Sequence, residues 1–451
     1  LYSPFNVETF SRSYDYDEKE VHSAYYSLDF GYKDFLTLTT TGRYDNYSTL
    51  YPMEDTGIFT QSVTGAFVFD RLLDVPAMDF GKLRASYAVT SGDPFEAYLT
   101  NFYYTSANSY NGVPAGSSPL SLPNLSLKPF TTDEVEFGLD LSFFKNRLAF
   151  DIAYFNKTTH DEIMRADLSV ASGFTSAVVA TGSTNNKGLE VLVSGTPVQT
   201  PSFSWKTSFN LTNVKNEVLS TDNNDNPVNL GQNRATLGNA VTAYVVGKAG
   251  PQIRAYDYAY DSDGDIIVDE AGLPVRGELK DWGSVLPTVY GGLNNEFNYK
   301  GISFSFLVDY SFGNKVLSAT EFYSHFRGLH KNTLVGRDGG VVTDGITASA
   351  EDYYKALVQN VTMTSVVDGD FIKLRQLTFG YSLPERWFAS TPVLKGLDIS
   401  LVARNLAILM RNAENIDPEA NFGSNINYTG IEGTSLPSTR SFGFNLNFKL
   451  N

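Results

Sequence analysis

Residues 441–450 read Ser-Phe-Gly-Phe-Asn-Leu-Asn-Phe-Lys-Leu. Phe442, Phe444, Leu446, Phe448 and Leu450 share one parity, and Ser441, Gly443, Asn445, Asn447 and Lys449 share the other. Successive side chains of a strand point to opposite faces, so this stretch has one face fit for lipid and one fit for water. The contrast recurs upstream. Leu148, Phe150, Ile152 and Tyr154 alternate with Ala149, Asp151 and Ala153. Phe203, Trp205, Phe209 and Leu211 alternate with Ser204, Lys206, Ser208 and Asn210, and Ile302, Phe304, Phe306, Val308 and Tyr310 with Ser303, Ser305 and Asp309.

About fourteen such segments are counted by this period-two pattern: residues 21–32, 35–44, 58–69, 82–90, 98–105, 133–143, 147–158, 187–198, 203–214, 287–299, 302–312, 371–383, 397–406 and 438–450. Roughly ten residues is the length a tilted strand needs to cross a bilayer. Short and long connections alternate along the chain. Lys33-Asp34, Lys145-Asn146 and Lys300-Gly301 read as two-residue turns, whereas 156–186, 213–239, 313–370 and 407–437 are long. That asymmetry is expected of outer-membrane barrels, with tight turns on the periplasmic rim and long loops outside. A soluble β-sandwich or propeller also alternates, but such lopsided connections are unusual there, and no repeat of fixed period suggests a propeller.

Composition agrees. Aromatic residues make up 14% of the chain (27 Tyr, 32 Phe, 3 Trp), charged residues 19%, and mean hydropathy is −0.19. No stretch approaches the roughly 20 consecutive apolar residues of a spanning helix, which leaves strands closed into a barrel as the route across a membrane. Cysteine is absent, which excludes thiolate metal sites, cysteine nucleophiles and disulfides. A formal charge of −16 argues against nucleic acid, which needs a basic surface. The opening Leu1-Tyr2-Ser3-Pro4 shows no basic n-region or apolar leader core, so the chain reads as mature, truncated, or both. The fold expected is all-β, a transmembrane antiparallel β-barrel with about fourteen strands in this chain.

Several motifs add a family resemblance. Residues 25–45 (YYSLDFGYKDFLTLTTTGRYD), residues 127–158 and the following Asn186-Lys187-Gly188-Leu189-Glu190 resemble hairpins of the SusC/RagA-like TonB-dependent outer-membrane transporters. Residues 368–384, DGDFIKLRQLTFGYSLP, are the most specific match. Arg404-Asn405-Leu406, Asp417-Pro418-Glu419 and residues 437–443 (PSTRSFG) then follow in the family's order. The resemblance runs from about Tyr25 to the end. It implies a barrel of about 22 strands, filled by an N-terminal plug, energised through TonB and paired with a SusD-like surface lipoprotein. On that plan residues 1–451 are the C-terminal portion of the barrel, with the plug and the TonB-contacting segment outside the chain. An autonomous fourteen-stranded channel is the alternative within the barrel class.

Candidate sites are few. Asp261, Asp263, Asp265 and Asp269 alternate in a long loop and would present hard oxygen ligands to Ca²⁺. Gly264 and Asp269 fall at the wrong positions for an EF-hand, and an Asp/Gly-rich turn explains the same residues. Loop aromatics Tyr103, Tyr104, Tyr110, Tyr323, Tyr353 and Tyr354 are candidates for stacking on a ligand or packing on a partner. They serve equally well as a membrane-interface girdle or as small loop cores. His22, His160, His325 and His330 read as solvated loop residues, since His325 and His330 lack helical zinc spacing. No GxSxG elbow, P-loop or GxGxxG motif is present, which argues against an enzyme.

On the barrel reading Phe442, Phe444, Leu446 and Phe448 face outer-membrane lipid, while Lys206, Asp151, Asp309 and Arg404 line the lumen or contact the plug. The function expected is TonB-dependent import of a bulky glycan or peptide. The rivals are a SusC-like barrel acting as a structural or secretion subunit, and a secreted carbohydrate-binding β-protein.

Overall fold

A computed structural model describes residues 16–450 apart from 52–55, 74, 94–96, 111, 112, 125, 126, 168, 169, 223, 233, 237, 392, 424 and 425. Residues 105–110, 114, 115, 166, 167, 170 and 426 are described by their backbone alone. Among the described residues thirteen strands follow one another in sequence order, each antiparallel to the last, as the wall of a barrel. They are β1 (Val21–Tyr32), β2 (Leu36–Tyr47), β3 (Gly57–Val68), β4 (Met78–Gly92), β5 (Phe130–Phe143), β6 (Leu148–Asp167) and β7 (Ser176–Gln199). The wall continues with β8 (Phe203–Ser220), β9 (Val289–Tyr299), β10 (Ile302–Phe312), β11 (Phe371–Ser382), β12 (Leu394–Arg411) and β13 (Ser441–Leu450). Among the described residues no helix is long and apolar enough to cross a membrane.

Register carries the sequence pattern from strand to strand. Phe444 lies opposite Leu401, Leu401 opposite Phe379, Phe379 opposite Phe304 and Phe304 opposite Phe297. A slip of one residue would turn every one of these rings to the other face, so the apolar set fixes the pairing. Rings stack across strands on this outer face, with Trp205 on Phe297 at 5.8 Å and Phe209 on Tyr310 at 6.2 Å. Trp205 and Phe297 are direct partners on neighbouring strands, a pair that contributes roughly 0.2–1 kcal/mol. The expected lipid-facing residues Phe442, Phe444, Leu446 and Phe448 are 74%, 73%, 42% and 54% exposed, on an edge strand whose ten residues are all exposed, Ser441, Asn445 and Asn447 included.

Of the three connections expected as two-residue turns, only Lys300-Gly301 has that length, between the paired Tyr299 and Ile302; the others lengthen to 33–35 and 144–147. Lys33 and Asp34 have φ of 47° and 55°, a left-handed pair like that of tight hairpin turns. Lys300 and Gly301, at 45° and 88°, repeat the device. These turns share a rim with 144–147 and 200–202, and the long connections all leave the opposite rim.

Two of the expected segments change. Residues 98–105 are not a wall strand. Residues 101–104 are irregular, and Thr105–Tyr110 pairs with Val113–Ser117 in a separate hairpin. The aromatic residues there satisfy one another locally, with Phe102 5.8 Å from Tyr104 and 6.4 Å from Phe174. The supposed long loop 156–186 is mostly strand, because β6 and β7 stay paired through Thr159 and Thr184 up to Asp167 and Ser176. Polar threonines and asparagines pair as well above the membrane as in a loop, so alternation fades where the ladder does not. The long connections are themselves folded.

Those connections make a cap. Residues 221–288 form a four-stranded sheet of Val228–Gln232, Ala240–Tyr244, Gln252–Tyr258 and Arg276–Ser284. Residues 313–370 add two helices, α1 (Ala319–Phe326) and α2 (Ala350–Asn360). Ser318 and Ser349 accept hydrogen bonds from Glu321 N and Asp352 N, so both helices begin on a serine N-cap. Ala240, Ile253, Ala255, Val285 and Leu317 bury one core between the two connections.

Candidate functional site

The wall's inner face is polar and internally ion-paired. Arg84 on β4 lies across Gly138 of β5, where a Cβ would stand 2.2 Å from Nε. The guanidinium reaches Glu136 at 3.2 Å, Asp151 of β6 at 2.9 Å, and Asp140, which Lys82 also contacts at 2.7 Å. A side chain at 138 would have to displace the arginine, which fills that space. Gly138→Ala is expected to push the guanidinium off its carboxylates and to cost about 1–3 kcal/mol. Urea unfolding in detergent micelles measures this, and an unchanged midpoint would show that the contact is dispensable.

At the outer rim four sequence motifs meet. Lys373 and Asp417 are 3% and 4% exposed. The Lys373 ammonium donates to Asp417 Oδ1 at 2.6 Å and Glu419 Oε2 at 2.5 Å. Arg375 donates through Nε to Asp309 at 2.8 Å and through Nη2 to both oxygens of Glu419 at 3.0 and 2.9 Å. Asn405 accepts from Arg375 at 3.2 Å and donates to the Thr439 carbonyl at 3.1 Å, while Asp417 Oδ2 accepts from Ser438 N at 3.0 Å. A register slip in β11 between Leu374 and Gln376 re-aims Arg375 towards this cluster, as bulges do. Burial alone would raise the Asp417 carboxyl, but the Lys373 ammonium, the Ser438 hydroxyl and two backbone N–H groups hold it well below the ordinary carboxylate range.

Above this anchor the long connections hold each other. Glu432, 1% exposed, accepts from Ser318 Oγ at 2.7 Å, Thr320 N at 2.9 Å, Thr320 Oγ1 at 3.0 Å and Ser435 N at 2.9 Å. A carboxylate with four donors at a helix N-terminus satisfies both its charge and the helix dipole. Connection 412–440 is therefore pinned to α1 above and to the wall below.

The histidine expectation is overturned in part. His325 and His330 are buried, stacked at 4.0 Å with 18° between ring planes, and set beside the buried Glu321. His325 lies one helical turn after Glu321, and a loop returns His330 onto it; the pair Glu321/His325 was the overlooked signal. One ligand atom from each of the three lies within 4.8 Å of the others. The rings are nearly parallel, so their in-plane lone pairs run side by side and do not converge on one ion. His330 Nδ1 already accepts the Asn332 N–H at 3.1 Å, and Glu321 Oε1 accepts from Asn415 at 2.8 Å. The group is a packed polar knot between connections 313–370 and 412–440. Burial, then the neighbouring His325, lowers the His330 pKa. His160 instead contacts Asp133 at 2.7 Å, and His22 is exposed.

The remaining candidates scatter. Asp261, Asp263, Asp265 and Asp269 are exposed. Asp261 Oδ1 accepts from the N–H groups of Asp263 and Asp265, and Asp269 Oδ1 from those of Ala271 and Leu273, each at 2.9 Å. Those oxygens are occupied in closing two successive Asx turns. Tyr103 and Tyr104 are 54% and 71% exposed at the outer rim. Tyr110 lies on the separate hairpin, and its side chain falls outside the described residues. Tyr323 packs edge-on against Phe322 and Tyr353 against Tyr354. Tyr354 is buried and donates to the Asn332 carbonyl at 2.7 Å, so it builds the cap's core rather than offering a ring to a ligand.

Residues 1–285 match the family described as TonB dependent receptor-like, beta-barrel. TonB-dependent receptor P26 of Formosa agariphila is 27% identical over 472 residues, covering 96% of this chain and 46% of that protein. TonB-dependent receptor SusC of Bacteroides thetaiotaomicron is 25% identical, covering 91% of this chain and 42% of that protein. The chain thus spans about half the length of these relatives. Among solved structures, the RagAB peptide transporter superposes with a TM-score of 0.77 at 18% identity, covering 95% of this chain and 48% of that one. The RagAB peptide importer in the 'closed-closed' state gives 0.78 at 19%, covering 95% and 47%.

Proposed function

Since the chain belongs to the TonB dependent receptor-like β-barrel family, whose members are outer-membrane transport proteins rather than enzymes, we propose that it forms the C-terminal portion of the barrel of a SusC-like importer. The cargo in this reading is a bulky glycan or peptide, supported by the SusC relative and by the fold shared with a peptide importer. The observation that carries it is the anchor at Lys373. The motifs that resemble SusC/RagA-like transporters at Lys373-Leu374-Arg375, Asn405, Asp417-Pro418-Glu419 and Ser438-Thr439 converge there in space.

The wall is open between β1 and β13, which have no partners on their outer edges among the described residues. Unpaired backbone in hydrocarbon costs several kcal/mol per group. Closure by about nine further strands would complete a barrel of about 22. A plug and a TonB-contacting segment belong with those strands. The ion-paired inner face around Arg84 is where the plug would rest.

The partner in this reading is a SusD-like surface lipoprotein seated on the cap. Leu329, Leu334, Val335 and Val342 stand 81%, 61%, 66% and 65% exposed there, and clustered exposed apolar residues mark contact surfaces. Leu334→Glu with Val335→Glu is expected to abolish co-purification of the lipoprotein while leaving barrel abundance unchanged. Persistence of the complex would move the partner elsewhere. Import itself is tested by growth on glycans and on peptides as sole nutrient, with and without TonB. Growth that needs both the transporter and TonB supports the reading, and normal growth of the deletion strain on every nutrient would contradict it.

A further inference from the structure

We propose that the tight-turn rim carries a phospholipid site, formed by the turn 144–147 and strands β6, β7 and β8, with a phosphate over Arg147 and an acyl chain along the wall. The proposal rests on the outward face of the barrel and is independent of what the protein imports.

A groove of about 520 Å³ opens there, lined by Phe144, Leu148, Val193, Gly195, Pro197 and Phe209. Leu148 pairs with Gly195, Val193 with Phe209, and Gly195 with Thr207. All of these lie on the parity of Phe150 and Trp205, the lipid side. The groove is therefore open to hydrocarbon and not to the lumen. A register slip in β7 between Gly195 and Val198 widens the wall at this point, and a glycine at 195 keeps the floor low. Its size lies within the roughly 300–1,000 Å³ range of small-molecule sites.

The mouth is cationic. Arg147 donates through Nε and Nη2 to the Thr196 carbonyl at 3.1 and 3.0 Å and through Nη2 to the Pro197 carbonyl at 2.7 Å. Those bonds fix the guanidinium at the end of the groove and leave Nη1 for an outside acceptor. Lys145, exposed on the same turn with φ 60°, adds a second positive charge. Two cations at the membrane edge beside an apolar channel match a phosphodiester attached to a chain. A free phosphate would use the cations alone and a hydrocarbon the groove alone. The leaflet beside this rim supplies both in one molecule.

The test uses the full-length protein, purified in detergent, stripped of lipid and titrated with phosphatidylglycerol under non-denaturing mass spectrometry. The wild type is expected to take one lipid at about tenfold lower concentration than any that follow. Lys145→Gln with Arg147→Gln should weaken that first lipid about tenfold. Val193→Trp, which fills the groove while keeping both cations, should remove it. Heat-modifiable electrophoretic mobility reports that each variant is folded, and either folded variant alone decides the matter. A first lipid no tighter than the later ones, or one unaffected by the variants, would overturn the proposal. So would complete displacement by millimolar inorganic phosphate, which would reduce the site to an ion contact.

Discussion

Lys373→Met is expected to be the most damaging single substitution at the outer rim, costing about 3–5 kcal/mol, because it strands the buried carboxylate of Asp417 beside Glu419 without a counter-charge. Equilibrium urea unfolding of the full-length protein in micelles measures the loss, and limited proteolysis of connection 412–440 reports whether the loop comes free. A loss under about 1 kcal/mol would mean that the cluster behaves like an exposed ion pair. The same contact has a pH signature. The Asp417 carboxyl is depressed in the folded protein, so its contribution is fully present above the unfolded value of about 3.9 and is lost as pH falls through the lower folded value. Wild type should therefore lose stability in acid more steeply than Asp417→Asn, which has no such proton to take up.

Phe306→Arg carries the second large effect. Phe306 is in the middle of β10 on the lipid side, 6.4 Å from the ring of Phe297. An arginine near the bilayer midplane of a barrel costs about 2–4 kcal/mol. Leu307 is the control, since it is the adjacent residue and faces the lumen opposite Asn294 and Gln376. The folded fraction in phospholipid vesicles should drop for Phe306→Arg and hold for Leu307→Arg. Equal losses at the two positions would contradict the assignment of faces.

Much of the wall was legible because its physics is local in sequence. Val21–Tyr32 and Ile302–Phe312 have the bounds that alternation alone predicts, since each strand must present apolar residues to lipid at every second position. Beyond the lipid the signal weakens. The ends of β6 and β7 pair through residues such as Thr159 with Thr184 and Glu162 with Gly182, and no period distinguishes them from a loop. The rim at 98–105 gave the opposite error, with aromatic residues spaced like a strand but packed on each other. The cap was illegible for a different reason. Its contacts join residues far apart in the chain, as Glu432 does with Ser318 and Lys373 with Asp417. Motifs named singly in the sequence gave no sign that they share one cluster. The histidines were misplaced because a spacing of five excludes a helical pair and says nothing about a loop that folds back.

The most direct test of the central claim uses the absence of cysteine from this chain. Asp263→Cys and Lys300→Cys would be introduced separately into the full-length protein, and intact cells exposed to a membrane-impermeant maleimide. The account predicts labelling at position 263, on the long-loop rim, and none at position 300 until the outer membrane is breached. Labelling of position 300 on intact cells, with position 263 protected, would invert the barrel and contradict it.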